Sequence, residues 1–163
     1  MADYSKLAFS TVRSLLWTEL KSTGVLTEND YWVESFNDYI NPVIPSQQVP
    51  EFQNLLPAVP YIVYDIETMM YSSEYWICEE EVTFTVISND YGKVFEILEL
   101  IKDIFRRYDQ TAQDLNILNP EPFKFLDVYL TGLMSPEYGE DEGGQVVGVA
   151  RVSYRYVRDI EPS

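Results

Sequence analysis

Two carboxylates two positions apart stand in the string Tyr64-Asp65-Ile66-Glu67-Thr68. In an extended segment residues i and i+2 share a face, so Asp65 and Glu67 are expected side by side near a strand end. Carboxylates paired this way can share hard divalent cations that activate water and stabilise a leaving oxygen. Two acidic triplets, Glu79-Glu80-Glu81 and Glu140-Asp141-Glu142, offer further oxygen ligands. Neither has the spaced Asp/Asn ligands and central glycine of an EF-hand loop. Alternation along a strand also turns Glu80 away from Glu79 and Glu81, so both triplets read as solvated surface.

The Asp65/Glu67 string resembles the first motif of DEDD-type 3′–5′ exonucleases, which implies a metal-dependent exonuclease as an alternative function. Such a site needs more carboxylates and a general base from distant segments. The chain has no histidine, and no downstream tyrosine is followed four positions later by Asp. Lack of histidine together with a single cysteine leaves too few soft ligands for zinc. Cys78, set among apolar neighbours, reads as a small buried hydrophobe. There is no G-x-S-x-G elbow, and Gly143-Gly144 lacks the Lys and Ser/Thr of a phosphate-binding loop. No catalytic, cofactor or metal residue is nominated, and a non-enzymatic role is expected.

Charge is the strongest global feature. There are 27 acidic residues against 11 basic, a net charge of −16. Groove-tracking of nucleic acid needs clustered Lys and Arg, so tight phosphate binding is not expected. Aromatics make up 15% of the chain, with 13 tyrosines, residues favoured in interfaces for their large area and polar tip. The start Met1-Ala2-Asp3-Tyr4 lacks the basic and apolar regions of a signal peptide. No apolar run approaches the roughly 20 residues needed to span a bilayer. Synthesis in a cytoplasm and no membrane partner are expected.

The elements that must position these residues follow from periodicity. Residues 4–22 predict a helix, with Leu7, Val12, Leu15, Leu16 and Leu20 near helical spacing, Asp3 as N-cap and Gly24 past its end. Residues 25–60 are punctuated by Pro42, Pro45, Pro50, Pro57 and Pro60 and predict an irregular insert, with a short helix near 28–39. An insert this long packs on a partner or covers an edge. Tyr61–Ile66 and Tyr75–Ser88 predict strands. In the second, Trp76, Cys78, Val82, Phe84 and Val86 point one way; Glu79, Glu81, Thr83 and Thr85 point the other. Glu80 breaks the apolar side, which predicts a wet strand end or a bulge. Tyr91–Tyr108 predicts one long helix, capped by Asn89 or Asp90. A polar stretch, a strand over 123–134, a mobile acidic loop over 135–144 and a last strand over 145–157 complete the chain. The expected fold is α+β within a single domain over 1–163. It is an antiparallel or mixed β-sheet of about four or more strands packed against one long helix, plus the N-terminal helix.

This order of elements from Pro60 to Ile160, with the Ser5–Leu20 helix before it, resembles the tail-terminator and tail-completion (head–tail joining) proteins of tailed phages. The residues carrying the likeness are the Pro60-Tyr61-Ile62-Val63-Tyr64 strand start, the strand and helix over 75–108, and 123–134 with Arg151-Val152-Ser153-Tyr154-Arg155-Tyr156-Val157-Arg158. The resemblance implies a virion protein, self-associated into a ring that is commonly hexameric, capping the tail tube and meeting the head connector. A neck or head-completion role is the nearest alternative. Under this reading Glu79, Glu81, Thr83 and Thr85 line a channel that lets DNA pass without specific binding. Arg151, Arg155 and Arg158 pair with acidic groups of a neighbouring subunit or, equally, across strands within one subunit.

Overall fold

The computed structural model describes residues 4–56, 59–71, 77–106, 109–118, 123–138 and 145–158. Helix α1 (Tyr4–Ser22) leads into a segment holding three 3₁₀ turns and three short strands: β1 (Trp32–Val33), β2 (Asp38–Tyr39) and β3 (Val43–Pro45). Helix α2 (Val49–Leu55) follows, then strands β4 (Tyr61–Tyr71) and β5 (Ile77–Ser88). Helices α3 (Tyr91–Phe105) and α4 (Asp109–Leu118) precede the closing pair β6 (Phe123–Tyr138) and β7 (Val146–Arg158). The fold is α+β. Its main sheet has five strands in the order β3-β4-β5-β7-β6, mixed because β3 runs parallel to β4 while every other pair is antiparallel.

Strand β5 shows why the sheet has two unlike faces. Cys78, Glu80, Val82, Phe84 and Val86 are buried and the intervening residues are only partly so, as period-two alternation dictates. Over the buried face lies α3, contributing Val94, Ile97, Leu98, Ile101, Ile104 and Phe105 to the core. Each such side chain stabilises the fold by about 1.5–3 kcal/mol when fully buried. The Asp90 carboxylate caps α3, accepting from the backbone N–H of Gly92 at 2.9 Å and of Lys93 at 3.4 Å. Gly148 on β7 lets the helix approach: a Cβ there would stand 2.9 Å from Val94 Cγ1 and closer still to Leu98 Cδ1.

The second layer extends through α1. Its stripe Ala8, Val12, Leu15, Leu16 and Leu20 is buried, and Phe9 meets the rings of Tyr64 on β4 and Phe84 on β5. Gly24, at φ +76°, turns the chain after the helix in the left-handed region that a residue without Cβ enters freely. Asp3, expected as the N-cap, lies outside the described residues.

Four expectations are corrected. The 25–60 insert is not merely irregular, nor does it hold a helix over 28–39: it supplies α2 and the parallel edge strand β3. The single long helix over 91–108 ends at Phe105 with Arg106 as its cap, and a second helix, α4, replaces the polar stretch. Buried Thr111 joins the two by donating its hydroxyl to the Ile104 carbonyl, and buried Ala112 and Leu115 give the polar-looking segment its apolar side. The segment expected as an acidic loop over 135–144 starts as strand, because β6 continues through Ser135–Tyr138; residues 139–144 lie outside the described set. Glu80 does not sit at a wet strand end. It is fully buried and in regular register with Tyr154 on β7, while on its other side β4 shifts register between Thr68 and Met70, opposite Glu80 and Glu79.

Candidate functional site: the open face of the sheet

The face opposite α3 carries the residues singled out from the sequence. Backbone register sets them in rows across the strands. Asp65 on β4 aligns with Thr83 on β5 and Arg151 on β7. In the next row Glu67, Glu81, Ser153 and Tyr129 align across β4, β5, β7 and β6. A third row places Glu79, Arg155 and Asp127 together. Near β3 this face is closed: Ile44, Tyr61 and Val63 are buried, and Phe52 of α2 lies 5.2 Å from the Tyr61 ring between centroids. Over β5, β7 and β6 its residues are mostly half-buried or exposed.

Arg155 is engaged within its own subunit. Its Nε donates to both Asp127 carboxylate oxygens at 3.0 Å, and its Nη2 forms an ion pair with Oδ2. Hydrogen bonding to Asp127 pushes the guanidinium pKa further up. A partly exposed pair of this kind stabilises by about 1 kcal/mol, so its effect is mainly to hold geometry. Ser153 donates to Glu79 Oε1 at 3.3 Å, and Thr131 donates to Glu81 Oε2 at 3.1 Å. Glu79 and Glu81 are thereby tied to β7 and β6. The neighbouring Tyr129 phenol is raised in pKa by desolvation first and by the Asp127 charge second.

Arg151 differs. It is exposed, it takes part in none of the ion pairs among the described residues, and it borders an open hollow of about 310 Å³ with Gly132, Leu133, Met134 and Val149. Arg158 ends β7, and its side chain lies outside the described set. The structure therefore brings Glu79, Glu81, Arg151 and Arg155 onto one surface, and gives Arg155 the intrasubunit partner that was one of its two expected fates.

Asp65 and Glu67 are exposed on the same face, with Ser46 donating to Asp65 Oδ1 at 3.2 Å. Among the described residues no group of three or more acidic, His or Cys side chains is placed to hold a metal ion. Sequence reasoning missed Asp127, Thr131 and Tyr129. Their i, i+2, i+4 spacing on a strand was available, but β6 shifts register between Phe125 and Asp127 and again between Leu130 and Gly132, which hides its facing from simple alternation.

Beneath the face, Glu80 lies in the core beside Tyr154 and Tyr156. Burial first and the Glu80 charge second hold both phenols well above their ordinary pKa. No helix among the described residues is long and apolar enough to cross a membrane. Compared with known proteins, the chain matches no family model and no curated protein sequence.

Proposed function

We propose that this chain is a structural virion subunit, not an enzyme: a tail terminator that closes into a ring on the phage tail tube and joins the tail to the head connector. The observation that carries this reading is the open sheet face, where Asp65, Glu67, Glu79, Glu81 and Asp127 stand against two arginines, one already paired to Asp127. A surface with that balance repels phosphate, which suits a wall past which DNA slides without specific binding. Cross-strand contacts from Ser153 and Thr131 hold Glu79 and Glu81 in place, so the wall is preorganised.

Subunit contacts in the ring are assigned to the rim of the sheet. Leu126, Leu133 and Met134 on β6, with Ile117 and Leu118 at the end of α4, are exposed large apolar residues. Arg151 beside Leu133 and Met134 adds a cation able to take a carboxylate from the neighbour. A head-completion role would use the same surfaces on a different partner.

Light scattering behind size exclusion at several salt concentrations tests the proposal, because screening should favour association of subunits this acidic. Rings of uniform diameter in negative stain that cap purified tail tubes, and that Arg151→Glu abolishes, are the expected result. A chain that stays monomeric at every salt concentration and binds neither tubes nor connectors overturns it. Binding to connectors alone shifts the assignment to head completion.

A further inference from the structure

We propose that the pocket beside Arg13 is a docking site for a peptide segment of a partner protein that presents one carboxylate next to a large apolar side chain. This does not rest on ring assembly; the pocket lies at the β3 edge, away from Arg151 and the β6 rim. Its volume is about 370 Å³, within the usual range of ligand sites, and Ile40, Ile44, Phe52 and Leu55 supply apolar wall.

The cation is the unusual part. Arg13 comes from α1 and is only partly exposed. Its Nε donates to the Val43 carbonyl at 2.6 Å, which fixes the plane of the guanidinium. None of the ion pairs among the described residues includes it, although the chain has 27 acidic residues. A partly desolvated charge without a counter-ion is costly, and burial already lowers the Arg13 pKa. With Nε engaged, the two terminal nitrogens keep the fork geometry that suits a planar carboxylate.

The other lining residues narrow the ligand. Glu51 shares the pocket and the net charge is −16, so a doubly charged phosphate is disfavoured against a single carboxylate. Phe36, 52% exposed, forms part of the wall at the turn between β1 and β2. Trp32 and Tyr39 on the same hairpin are 38% and 40% exposed and meet edge to face at 4.8 Å between ring centroids. These exposed rings stand on the hairpin that supplies Phe36 to the pocket and leads directly into Ile40 of its wall, and aromatics of this kind are enriched at protein interfaces, which favours a peptide over a small free acid.

The test is selection of a random-peptide display library on the full chain, with each enriched peptide then synthesised and titrated. Enriched sequences are expected to place Asp, Glu or a free C-terminus beside Phe, Trp, Leu or Ile. Changing that Asp or Glu to its amide, or Arg13→Gln in the protein, is expected to weaken binding about tenfold, as loss of a charged hydrogen bond does. Arg13→Lys should recover part of it. Phe36→Ser, at an exposed position where folding is not at stake, should weaken binding independently of any effect of Arg13→Gln on the edge strand. Enrichment without a carboxylate, no enrichment, or affinities for Arg13→Gln and Phe36→Ser within about twofold of the parent overturn the proposal.

Discussion

The side chain of Asn116 on α4 hydrogen-bonds both backbone groups of Phe125 on the edge strand β6. Its Nδ2 donates to the Phe125 carbonyl at 3.0 Å, and its Oδ1 accepts from the Phe125 N–H at 2.7 Å. The amide thus takes the place of a neighbouring strand. The opposite edge has a matching device: Val43 on β3 donates its N–H to Asn41 Oδ1 at 2.9 Å and accepts Arg13 Nε at its carbonyl. Each edge is covered at one residue by side chains, which limits unregulated strand addition.

Asn116→Leu is therefore expected to cost about 1–3 kcal/mol, because two polar groups of buried Phe125 lose their partners. It should also increase concentration-dependent association through the bared β6 edge. Urea unfolding with light scattering measures both; unchanged stability and unchanged mass would remove the capping role.

At the contact of α3 with the sheet, Gly148→Ala places a methyl group against Val94 and Leu98, both buried. Overpacking of this kind costs about 1–3 kcal/mol. A midpoint in urea equal to that of the parent would mean that α3 can shift outward freely.

Alkaline pH should unfold the protein earlier than its charge alone predicts. Tyr31, whose hydroxyl donates to the Pro60 carbonyl at 2.6 Å, and the phenols of Tyr154 and Tyr156 all have raised pKa values caused first by burial. Unfolded phenols release their protons near pH 10 while the folded ones keep them. Stability is then complete below pH 10 and falls as pH rises, by up to about 1.4 kcal/mol per phenol per pH unit. Denaturant unfolding at pH 8 and pH 11, with ultraviolet detection of phenolate, is the measurement; equal stability at the two values would contradict it.

Tyr156 lies within hydrogen-bonding reach of the buried Glu80 carboxylate. Tyr156→Phe is expected to cost about 1–3 kcal/mol by removing a donor from a buried acceptor. Replacing Glu80 by Leu together with Phe at 154 and 156 should recover most of that loss, since an all-apolar set leaves nothing unsatisfied. Additive losses in the combined variant, measured by urea titration, would sink this account.

Arg155→Ala should lower stability by about 1 kcal/mol, as expected for a partly exposed ion pair. A larger drop in thermal or urea unfolding would show that the Asp127 pair organises β6 and β7 beyond its own contact.

Periodicity alone determined much of this protein. The alternation from Cys78 to Val86, the apolar stripe Val94 to Phe105, the Asp90 cap and the glycine turn at Gly24 are local features, written in spacings of two to four residues. The two-faced sheet and the shared surface of Glu79, Glu81, Arg151 and Arg155 follow from the same alternation. Other features were decided only by tertiary structure. Helix α4 rests on burial of Thr111, Ala112 and Leu115, which an evenly polar segment does not announce. Strand β3 exists because Val43–Pro45 pairs with Ile62–Tyr64, a parallel match between segments whose proline content argued against a strand. Glu80 became a core residue through register with Tyr154, and Arg13 acquired a pocket because a distant insert folded over it. Local spacing fixes which way a side chain points; only long-range pairing fixes what it meets there.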